Sequence, residues 1–463
     1  MDTVRGRISI PLPGLAKLQE ISGYALSHLQ PLAKRLVLSG LSGLSIGTLT
    51  IEGQDGIIVL GRKADKKVNG SGGQPEPPAA VLTVHDDFFW IRVLLLGDMG
   101  FAQSYMLHEI STSDLTTFFE VFIRNSSALT TGSTTPFVQT LLTKLGKIVR
   151  KANDIATARL NANAHYSLSN DMFAAFLSPD MTYSAPLWLP FSDPSAATET
   201  LEEAQMRKLR YAISSTRIKA SDHVLEIGTG WGSFAILAAS TTGCRVTTIT
   251  PSVEQKKLVD RRIADAGLSS QIQVVVADYR ELRPEQPFDK VVSIEMIEHV
   301  GHAFLETYFA CVDRYLKTDG GIGYFQCITI PEARYAQYLE GEDFIKKYIF
   351  PGGHLPTVSG LVSSIDRGSK GKLVVEEIKS VGAHYVRALR CWNENFHANF
   401  EDKIVPALLE RHPAMTRAEM DIFKRKWEYY FCYCEAGFKT KSLGDVAITV
   451  ARENCVDVLE DVL

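Results

Sequence analysis

Short apolar runs alternate with longer amphipathic stretches between residues 222 and 330 of the chain. The apolar runs are HVLEIG, RVTTIT, IQVVVAD, FDKVVSIE and GIGYFQCITI. Most are separated by segments of roughly 10–16 residues whose apolar positions recur with helical spacing. Buried strands joined by helices form a parallel sheet that is covered on both faces. The pattern therefore predicts a doubly wound α/β domain.

A different pattern occupies the N-terminal part of the chain. The segments LSIGTLTIEG, GIIVLG and AAVLTVHD alternate as strands do, and DLTTFFEVFIRN is typical of a helix with Asp114 at its N-cap. A polar stretch rich in Gly and Pro, residues 62–78, predicts a surface loop. Residues 1–130 are therefore expected to form a small α+β domain.

The remainder of the chain is expected to contain two further parts. Residues 131–200 begin with a polar linker and continue as a helical segment, and residues 201–463 contain the α/β domain. Within the latter, a helical and unusually aromatic insertion is predicted at about residues 384–440, where WNENF and KWEYYFCYCEAGF lie.

Composition excludes several classes of protein. Among the 463 residues, 45% are hydrophobic and 22% charged, which is ordinary for a folded protein and excludes wholesale disorder. The formal charge of −4 argues against a nucleic-acid partner. The seven cysteines form no CxxC pair, and no apolar run is long enough to cross a bilayer. We expect a reduced, cytoplasmic protein without a metal site.

A glycine-rich turn follows the first strand of the α/β domain. It consists of Glu226, Ile227, Gly228, Thr229, Gly230, Trp231 and Gly232. Glycines allow the backbone to approach a ligand, and the helix that follows offers free N–H groups. GxGxG with an acidic residue two positions before the first glycine is the pattern of class I S-adenosylmethionine-dependent methyltransferases, whose turn accommodates the methionine part of the cofactor. The alternative is a tight turn without a ligand.

Polar residues at the ends of the next two strands extend this candidate site. Thr250 and Gln255 follow the second strand, where a Gln amide could bond a ribose hydroxyl. Asp278, Tyr279 and Arg280 follow the third strand, where the adenine side would lie. Because open α/β sheets bind ligands at the carboxyl ends of their strands, these residues together predict a cofactor crevice. Each alone could be a solvated loop residue.

Six segments in order resemble the cyclopropane-fatty-acyl-phospholipid synthase family, which includes the mycolic acid cyclopropane synthases and related lipid methyltransferases. They are HYSLSNDMFAAFLSPDMTYSAPLW, VLEIGTGWGSFA, VVSIEMIEHVG, DFIKKYIFPGGHLP, HYVRALRCWNENF and YCEAGF. Even VHDDFFWIRVLLLGDMGFAQSYM is similar to the family's smaller N-terminal domain. The resemblance covers nearly the whole chain.

The resemblance implies a Rossmann-like class I methyltransferase sheet with a helical lid, and S-adenosylmethionine as cofactor. In the family, a double bond in a phospholipid acyl chain attacks the methyl group of the cofactor. The resulting carbocation loses a proton from the new methyl group and closes to a cyclopropane. Aromatic faces would stabilise the cation, although aromatic stripes are more often core. A phospholipid substrate also implies peripheral contact with a membrane, and a homodimer is left open.

The family uses a bound bicarbonate as the base that takes this proton. Carried over by motif, its holders are Glu298, Tyr385 and the backbone of Ile328. Gln326 stands where many members have His, and Ala185 stands where the family has a Cys that contributes mainly its N–H. These two departures put the bicarbonate site in doubt.

Five further residues receive roles from the resemblance. His165 and Tyr166 open a segment that folds over the cofactor, and Tyr183 and Ser184 contact it. Cys434 matches a cysteine assigned to catalysis in family members. The alternatives are a helix cap for His165 and an inert buried thiol for Cys434.

Two other functions compete with cyclopropane formation. One is methyl or methylene branching without ring closure, or methylation of another alkene-containing lipid or metabolite. The other is a lipid-binding scaffold whose catalytic site has decayed. The intact Gly228, Gly230, Gly232, Glu298 and Tyr385 argue against the scaffold.

Overall fold

The computed structural model divides into two compact units, Met1–Leu160 and Asn161–Leu463. It describes residues 29–61, 76–130, 160 and 168–459. Most of the expected linker and the candidate lid residues His165 and Tyr166 lie outside the described residues. The division into three parts at residues 130 and 200 stays a prediction.

The first unit is a four-stranded sheet with helices, as the alternating N-terminal segments predict. Its strands are β1 (Thr48–Gly53), β2 (Gly56–Gly61), β3 (Ala79–Val84) and β4 (Ile110–Thr112), in the order β2-β1-β3-β4. Its helices are α1 (Gln30–Leu41), α2 (Phe88–Leu96), α3 (Asp98–Met106), α4 (Leu115–Arg124) and α5 (Ser126–Thr130). The Asp114 side chain accepts a hydrogen bond from the Thr117 N–H at 2.9 Å, which confirms the predicted N-cap of α4.

The second unit is built on a seven-stranded sheet. Its strands are β5 (His223–Ile227), β6 (Arg245–Thr250), β7 (Ile272–Val276), β8 (Lys290–Ile294), β9 (Ile322–Thr329), β10 (Leu373–Ser380) and β11 (Gly444–Arg452). The order is β10-β11-β9-β8-β5-β6-β7, and neighbours from β9 to β7 are parallel. The predicted doubly wound α/β fold is confirmed. From β5 the chain adds β6 and β7 on one side and then returns to add β8 and β9 on the other, so the order of strands switches between β5 and β8.

Helices cover this sheet and extend beyond it. They are α6 (Asn170–Phe176), α7 (Leu201–Ser215), α8 (Ser233–Thr242), α9 (Val253–Asp265), α10 (Leu305–Tyr315), α11 (Glu332–Glu340), α12 (Phe344–Tyr348), α13 (Val358–Ser369), α14 (His384–Ala398), α15 (Val405–Arg411) and α16 (Arg417–Lys439). Short 3-10 turns lie at Pro194–Ala197, Ile297–His299, His302–Phe304 and Val456–Leu459, and a π-helical turn lies at Phe400–Ile404. Among the described residues, none of the helices combines the length and the apolar composition needed to cross a bilayer.

The sheet is not parallel throughout. β11 runs antiparallel to both of its neighbours, β9 and β10. Neither β10 nor β11 belongs to the predicted set of strands, because the alternation of strands and helices that marks the parallel part of the sheet ends after β9.

Apolar layers on both faces of the sheet explain why its central strands are continuous apolar runs. In β5, Val224 packs into one buried cluster and Leu225 into the other. Both side chains are completely buried. Since successive side chains of a strand point to opposite faces, a strand covered on both sides needs apolar residues at consecutive positions. The polar residues at the ends of these strands therefore lie outside the apolar layers, at the edge of the core.

Candidate active site

The glycine turn after β5 has a backbone conformation that favours glycine at each of its three glycine positions. Gly228, Gly230 and Gly232 have φ values of +100°, +52° and +87°. A Cβ atom added at Gly230 would meet no atom within 4 Å, whereas one at Gly232 would lie 2.8 Å from Val259 Cγ1. Gly232 is therefore needed for packing against α9, while the space beside Gly230 stays open to a ligand.

Glu226, at the end of β5, is a buried carboxylate beside this turn. One of its oxygens, Oε2, has no hydrogen-bond partner among the residues that the structure describes, and burial raises the pKa of the carboxyl group to about 8. The carboxyl group also interacts with the side chain of Thr248. The Thr248 hydroxyl donates its hydrogen to Thr229 Oγ1 at 2.7 Å. An unpartnered buried oxygen is costly in a folded protein, and a ligand with a donor group would satisfy it.

The residues predicted at the end of β6 lie together. Thr250 Oγ1 donates to Gln255 Oε1 at 2.6 Å, and the Gln255 N–H bonds the Ser252 cap of α9. Because the amide oxygen of Gln255 is engaged, its NH₂ group is the part that can donate to a ligand.

Two of the predicted adenine-side residues, Asp278 and Arg280, form an ion pair with each other. Arg280 donates from Nε to Asp278 Oδ1 at 2.8 Å and from a terminal nitrogen to Oδ2 at 2.7 Å. This bond lowers the pKa of the Asp278 carboxyl group. The Tyr279 ring packs edge-on against Tyr308, with ring centroids 5.1 Å apart. Arg280 therefore holds the Asp278 carboxylate in place at the end of β7.

Glu295, directly after β8, accepts three hydrogen bonds from distant parts of the chain. Its Oε1 accepts from the Ala185 backbone N–H at 2.8 Å and from Gln326 Nε2 at 2.9 Å. Its Oε2 accepts from the hydroxyl group of Tyr385. The backbone φ of Glu295 is +49°, which is unfavourable for a residue with a side chain. The surrounding contacts hold the residue in this conformation.

A second carboxylate, Asp445 at the start of β11, lies beside Glu295. Gln326 Nε2 donates to Asp445 Oδ2 at 2.9 Å, so one amide bridges the two acids. Asp445 is completely buried, and its carboxyl group interacts with that of Glu295. Burial raises the pKa of both groups, and the negative charge of Glu295 raises that of Asp445 further. The pair is thus suited to share one proton.

Glu298 lies in the 3-10 turn that follows. Its Oε1 accepts from the Ile328 backbone N–H at 2.6 Å, while its Oε2 is buried without a partner in the described part of the chain. Burial first, and then the nearby charge of Glu295, raises the pKa of Glu298 to about 8. This end of β8 and β9 therefore concentrates acidic groups whose pKa values burial raises.

A buried lysine provides the positive charge in this region. Lys208 on α7 is 1% exposed, and its Nζ donates to Ser184 Oγ at 2.7 Å. Burial lowers the pKa of Lys208 to about 8, although the charge of Glu295 acts in the opposite direction. Lys208 thereby balances the charge of Glu295, Glu298 and Asp445, which we call the acidic cluster, and fixes the segment that contains Ser184.

Aromatic side chains surround Tyr183 in the same segment. The Tyr183 and Tyr430 hydroxyls lie 2.9 Å apart, and the Tyr183 ring centroid lies 5.1 Å from that of Trp392. Further rings that belong to this network of aromatic contacts are Phe173, Phe176, Trp231, Phe350, Phe396, Trp427 and Phe431. They come from the helices predicted to be aromatic, from the segments before β5 and after β9, and, for Trp231, from the glycine turn. We call this set, with Tyr183, Trp392 and Tyr430, the aromatic cluster.

Cys434 lies on α16 and is buried. Burial raises the pKa of its thiol far above the ordinary range. A nucleophilic cysteine requires a thiolate, and this environment keeps the thiol protonated.

The sequence-predicted residues Glu298, Gln326, Ile328, Tyr385 and Ala185 are brought together at one end of the sheet. Sequence reasoning missed Glu295, Asp445 and Lys208. Glu295 carries a usable signal, since it is an acidic residue directly after a buried strand whose carboxyl end faces the crevice. Asp445 and Lys208 carry none, because a single acidic or basic residue beside an apolar segment is ordinary.

The glycine turn and the acidic cluster adjoin each other. A Cβ atom at Gly228 would lie 3.1 Å from the side chain of Met296, the residue that follows Glu295. β5 and β8 are neighbouring parallel strands, so their carboxyl ends meet at the same edge of the sheet. A ligand at the turn would lie next to the carboxylates.

This fold and this turn define a class I S-adenosylmethionine-dependent methyltransferase. A family model described as mycolic acid cyclopropane synthetase matches residues 153–447, and the chain belongs to that family. These findings confirm the resemblance read from the sequence and the assignment of the protein as an enzyme.

Relatives extend over most of the chain. A protein named tuberculostearic acid methyltransferase UfaA1, from Mycobacterium tuberculosis, is 34% identical over 387 residues, which cover 82% of this chain and 85% of that protein. A cyclopropane-fatty-acyl-phospholipid synthase from Escherichia coli is 32% identical over 381 residues, covering 82% and 88%. The solved structure of mycolic acid cyclopropane synthase CmaA1 with SAH and CTAB has a TM-score of 0.52 and 25% identity, covering 64% of this chain and 98% of that one.

Proposed function

We propose that the chain transfers a methyl group from S-adenosylmethionine to a cis double bond in an unsaturated phospholipid acyl chain and forms a cyclopropane ring. The observation that carries this proposal is the junction of the glycine turn with an acidic cluster and an aromatic cluster. A lipid alkene has no proton to lose before it reacts, so its methylation needs an apolar, cation-stabilising surface and a base that acts afterwards.

The residues of the turn fit the cofactor. The open space at Gly230 admits a close approach, and the unpartnered Glu226 Oε2 accepts a hydrogen bond from an amino group. We propose that Gln255 donates to a ribose hydroxyl and that Asp278 borders the adenine side. When bound, S-adenosylmethionine supplies an electrophilic methyl group.

The aromatic cluster is proposed to bind the acyl chain and to stabilise the positive charge that develops on it. Tyr183 and Trp392 lie with their ring centroids 5.1 Å apart, and the faces of such rings attract a cation through their quadrupoles. The hydroxyls of Tyr183 and Tyr430 bond each other, so neither has to be exposed to the apolar chain without a partner. The rings also exclude water, which would otherwise capture the carbocation.

The donors expected to hold a bicarbonate ion are already engaged. The Ala185 N–H, the Gln326 amide and the Tyr385 hydroxyl donate to Glu295, and the Ile328 N–H donates to Glu298. A bound anion at this place would need the same donors and would lie against two carboxylates. The residues therefore do not fit bicarbonate, and no step is assigned to it.

The alternative outcome is a methyl or methylene branch without ring closure, or methylation of another alkene-containing lipid or metabolite. The names of the two relatives favour different outcomes, since one is a methyltransferase and the other a cyclopropane synthase. The ring and the methylene branch both lose a proton from the new methyl group and differ in whether a hydride shifts along the chain first. A methyl branch arises when the proton leaves a chain carbon instead, and so depends on where the base lies relative to the new methyl group.

A lipid substrate also determines how the enzyme must work in the cell. We propose that it is cytoplasmic and binds the membrane surface peripherally, because the double bond lies within the acyl layer. Flotation with anionic and neutral vesicles tests this contact, and sedimentation equilibrium distinguishes a monomer from a homodimer.

The decisive experiment supplies S-adenosylmethionine with a trideuterated methyl group and vesicles of a phospholipid with one cis-unsaturated chain. Ring closure gives a product that keeps two deuterium atoms and shows cyclopropane protons by NMR, and the saturated phospholipid gives none. Methylene branching also keeps two deuterium atoms, but they form a =CD₂ group that gives a vinyl signal in the deuterium spectrum and no ring protons, and a retained CD₃ group indicates a methyl branch. The absence of label in every lipid tested would refute the proposed function.

A further inference from the structure

Glu295 is half-buried, and three donors from separate parts of the chain converge on its carboxylate. They are a backbone N–H, an amide and a phenol, from Ala185, Gln326 and Tyr385. An ionised carboxylate is the one side chain that accepts from all three at once. The donors therefore select and orient a carboxylate at this position.

The backbone of Glu295 shows that the position is held under strain. A positive φ costs a non-glycine residue of order 1–2 kcal/mol, and such residues cluster at functional sites. The Glu295 N–H donates to the carbonyl oxygen of Gln326 at 2.8 Å, which fixes the strained backbone to β9. The fold thus keeps a conformation that glycine would adopt freely, and it does so with a side chain directed into the acidic cluster.

The location of Glu295 connects it to the reaction. Met296, the next residue, lies beside Gly228 of the cofactor turn. Tyr385, which donates to the Glu295 carboxylate, packs edge-on against Trp392 of the aromatic cluster, with ring centroids 5.9 Å apart. A base for the carbocation must lie between the methyl donor and the apolar chain. Glu295 lies at this junction.

We propose that Glu295 is the catalytic base, so that the protein carries within its own chain the carboxylate that replaces a bound bicarbonate. This inference rests on the proposed function. In the proposed step, a C–H bond of the newly added methyl group breaks and its electron pair forms the second new C–C bond of the ring. The proton passes to the Glu295 carboxylate, and it leaves to solvent before the next turnover.

Gln326 and Asp445 are positioning residues for this base. The Gln326 amide spans Glu295 and Asp445 with distances of 2.9 Å to each. A neutral histidine at position 326 has one N–H and could not donate to both carboxylates. The presence of Asp445 beside Glu295 thus explains why position 326 is a glutamine.

The test compares the intact enzyme with Glu295→Gln and Glu295→Gly in buffer freed of carbon dioxide, with and without added bicarbonate. Glu377→Gln is the matched control, since Glu377 also accepts from a tyrosine hydroxyl, that of Tyr211 at 2.8 Å, but is exposed. Cofactor affinity, measured by calorimetry, shows whether each variant keeps its fold. Enzyme activity is measured as the rate at which the deuterium-labelled lipid forms.

We expect the wild-type rate to be independent of bicarbonate and Glu295→Gln to lose roughly 100-fold or more, as removal of a general base does. Glu295→Gly frees the three donors, so bicarbonate or formate should restore part of its rate. Residual product of Glu295→Gln should shift toward the alcohol formed when water captures the carbocation, whereas a merely structural role would lower all products together.

Three results would overturn the proposal. They are a wild-type enzyme that requires added bicarbonate, a Glu295→Gln variant with the wild-type rate, and a Glu295→Gly variant that binds cofactor but is not rescued. Failure of the wild-type enzyme to label any lipid would instead count against the proposed function. The two failures are therefore distinguishable.

Discussion

The indole Nε1 of Trp231 donates a hydrogen bond to Asn170 Oδ1 at 2.9 Å. This bond joins the glycine turn to the first residue of α6, which is 61 positions earlier in the chain. The Trp231 ring also packs against Phe173 on the same helix, with centroids 5.0 Å apart. The cofactor turn and the aromatic cluster are therefore connected, and a change in one is expected to affect the other.

Loss of this bond should weaken cofactor binding without unfolding the protein. A neutral hydrogen bond contributes about 1 kcal/mol, so we expect Trp231→Phe and Asn170→Ala each to raise the cofactor Kd roughly three- to tenfold. Isothermal calorimetry measures the change. Ser240→Ala, on the exposed side of α8, is the control. Unchanged affinity in both variants would show that α6 does not support the turn.

Alanine substitutions in the turn should separate binding from stability. Gly230→Ala places its methyl group in open space, so we expect a folded protein, about 1–2 kcal/mol less stable from the positive φ, that binds the cofactor at least tenfold more weakly. Gly232→Ala places its methyl group 2.8 Å from Val259 and should lower the Tm further. Thermal melts and calorimetry on both variants check this. If Gly230→Ala binds normally, the open space does not belong to the cofactor site.

The fold was largely predictable because its signals are local. The strand β5, the glycine turn and the Gly232 start of α8 follow one another within 20 residues, and each has a characteristic residue pattern. β11 lacks such a pattern, because no helix of the parallel type connects it to β9, and it is recognised only by its pairing with β9.

The position of Glu295 directly after a buried strand is a local signal in the sequence, but the contacts that would make it a base are not local. The partners of Glu295 lie 110, 31 and 90 positions away, at Ala185, Gln326 and Tyr385. The sequence indicated three of the participants as holders of an external anion. Their convergence on a carboxylate of the chain itself, in a strained backbone conformation, is a property of the tertiary structure alone.

Glu226 should make stability depend on pH. Burial raises the pKa of its carboxyl group from 4.5 to about 8. Between these values the unfolded chain is ionised while the folded protein keeps the proton, so the stability of the folded state falls as the pH rises through this window. Glu226→Gln removes this loss. We expect the Tm of the variant relative to wild type to increase from pH 5 to pH 8 and then to level off, as measured by thermal melts. A constant difference, like that expected for exposed Glu377→Gln, would contradict the assignment.

Cys434 is expected to contribute through packing and not as a nucleophile. Its thiol is buried, and the raised pKa keeps it protonated at neutral pH. Cys434→Ala should therefore keep the rate of lipid methylation within about threefold, with a loss of stability from the small cavity. A loss of activity larger than 100-fold with normal cofactor binding would restore a chemical role for this residue.

Tyr385→Phe should change the pH dependence of the reaction. The ring stacks on Phe438 with centroids 4.4 Å apart, so phenylalanine keeps the packing and removes only the hydroxyl that donates to Glu295. That hydrogen bond lowers the pKa of Glu295 against the raising effect of burial. Without it the pKa rises, and a base that must be ionised becomes active only at higher pH.

We therefore expect the acidic limb of the Tyr385→Phe rate profile to move to higher pH, with kcat at neutral pH reduced roughly 10- to 100-fold and the cofactor Kd unchanged. Rates of lipid labelling between pH 6 and pH 9 measure the shift. Tyr211→Phe removes the equivalent hydroxyl from the exposed Glu377 and should leave the profile in place. A lower kcat with an unmoved limb would mean that Tyr385 acts on the substrate directly and not through the ionisation of Glu295.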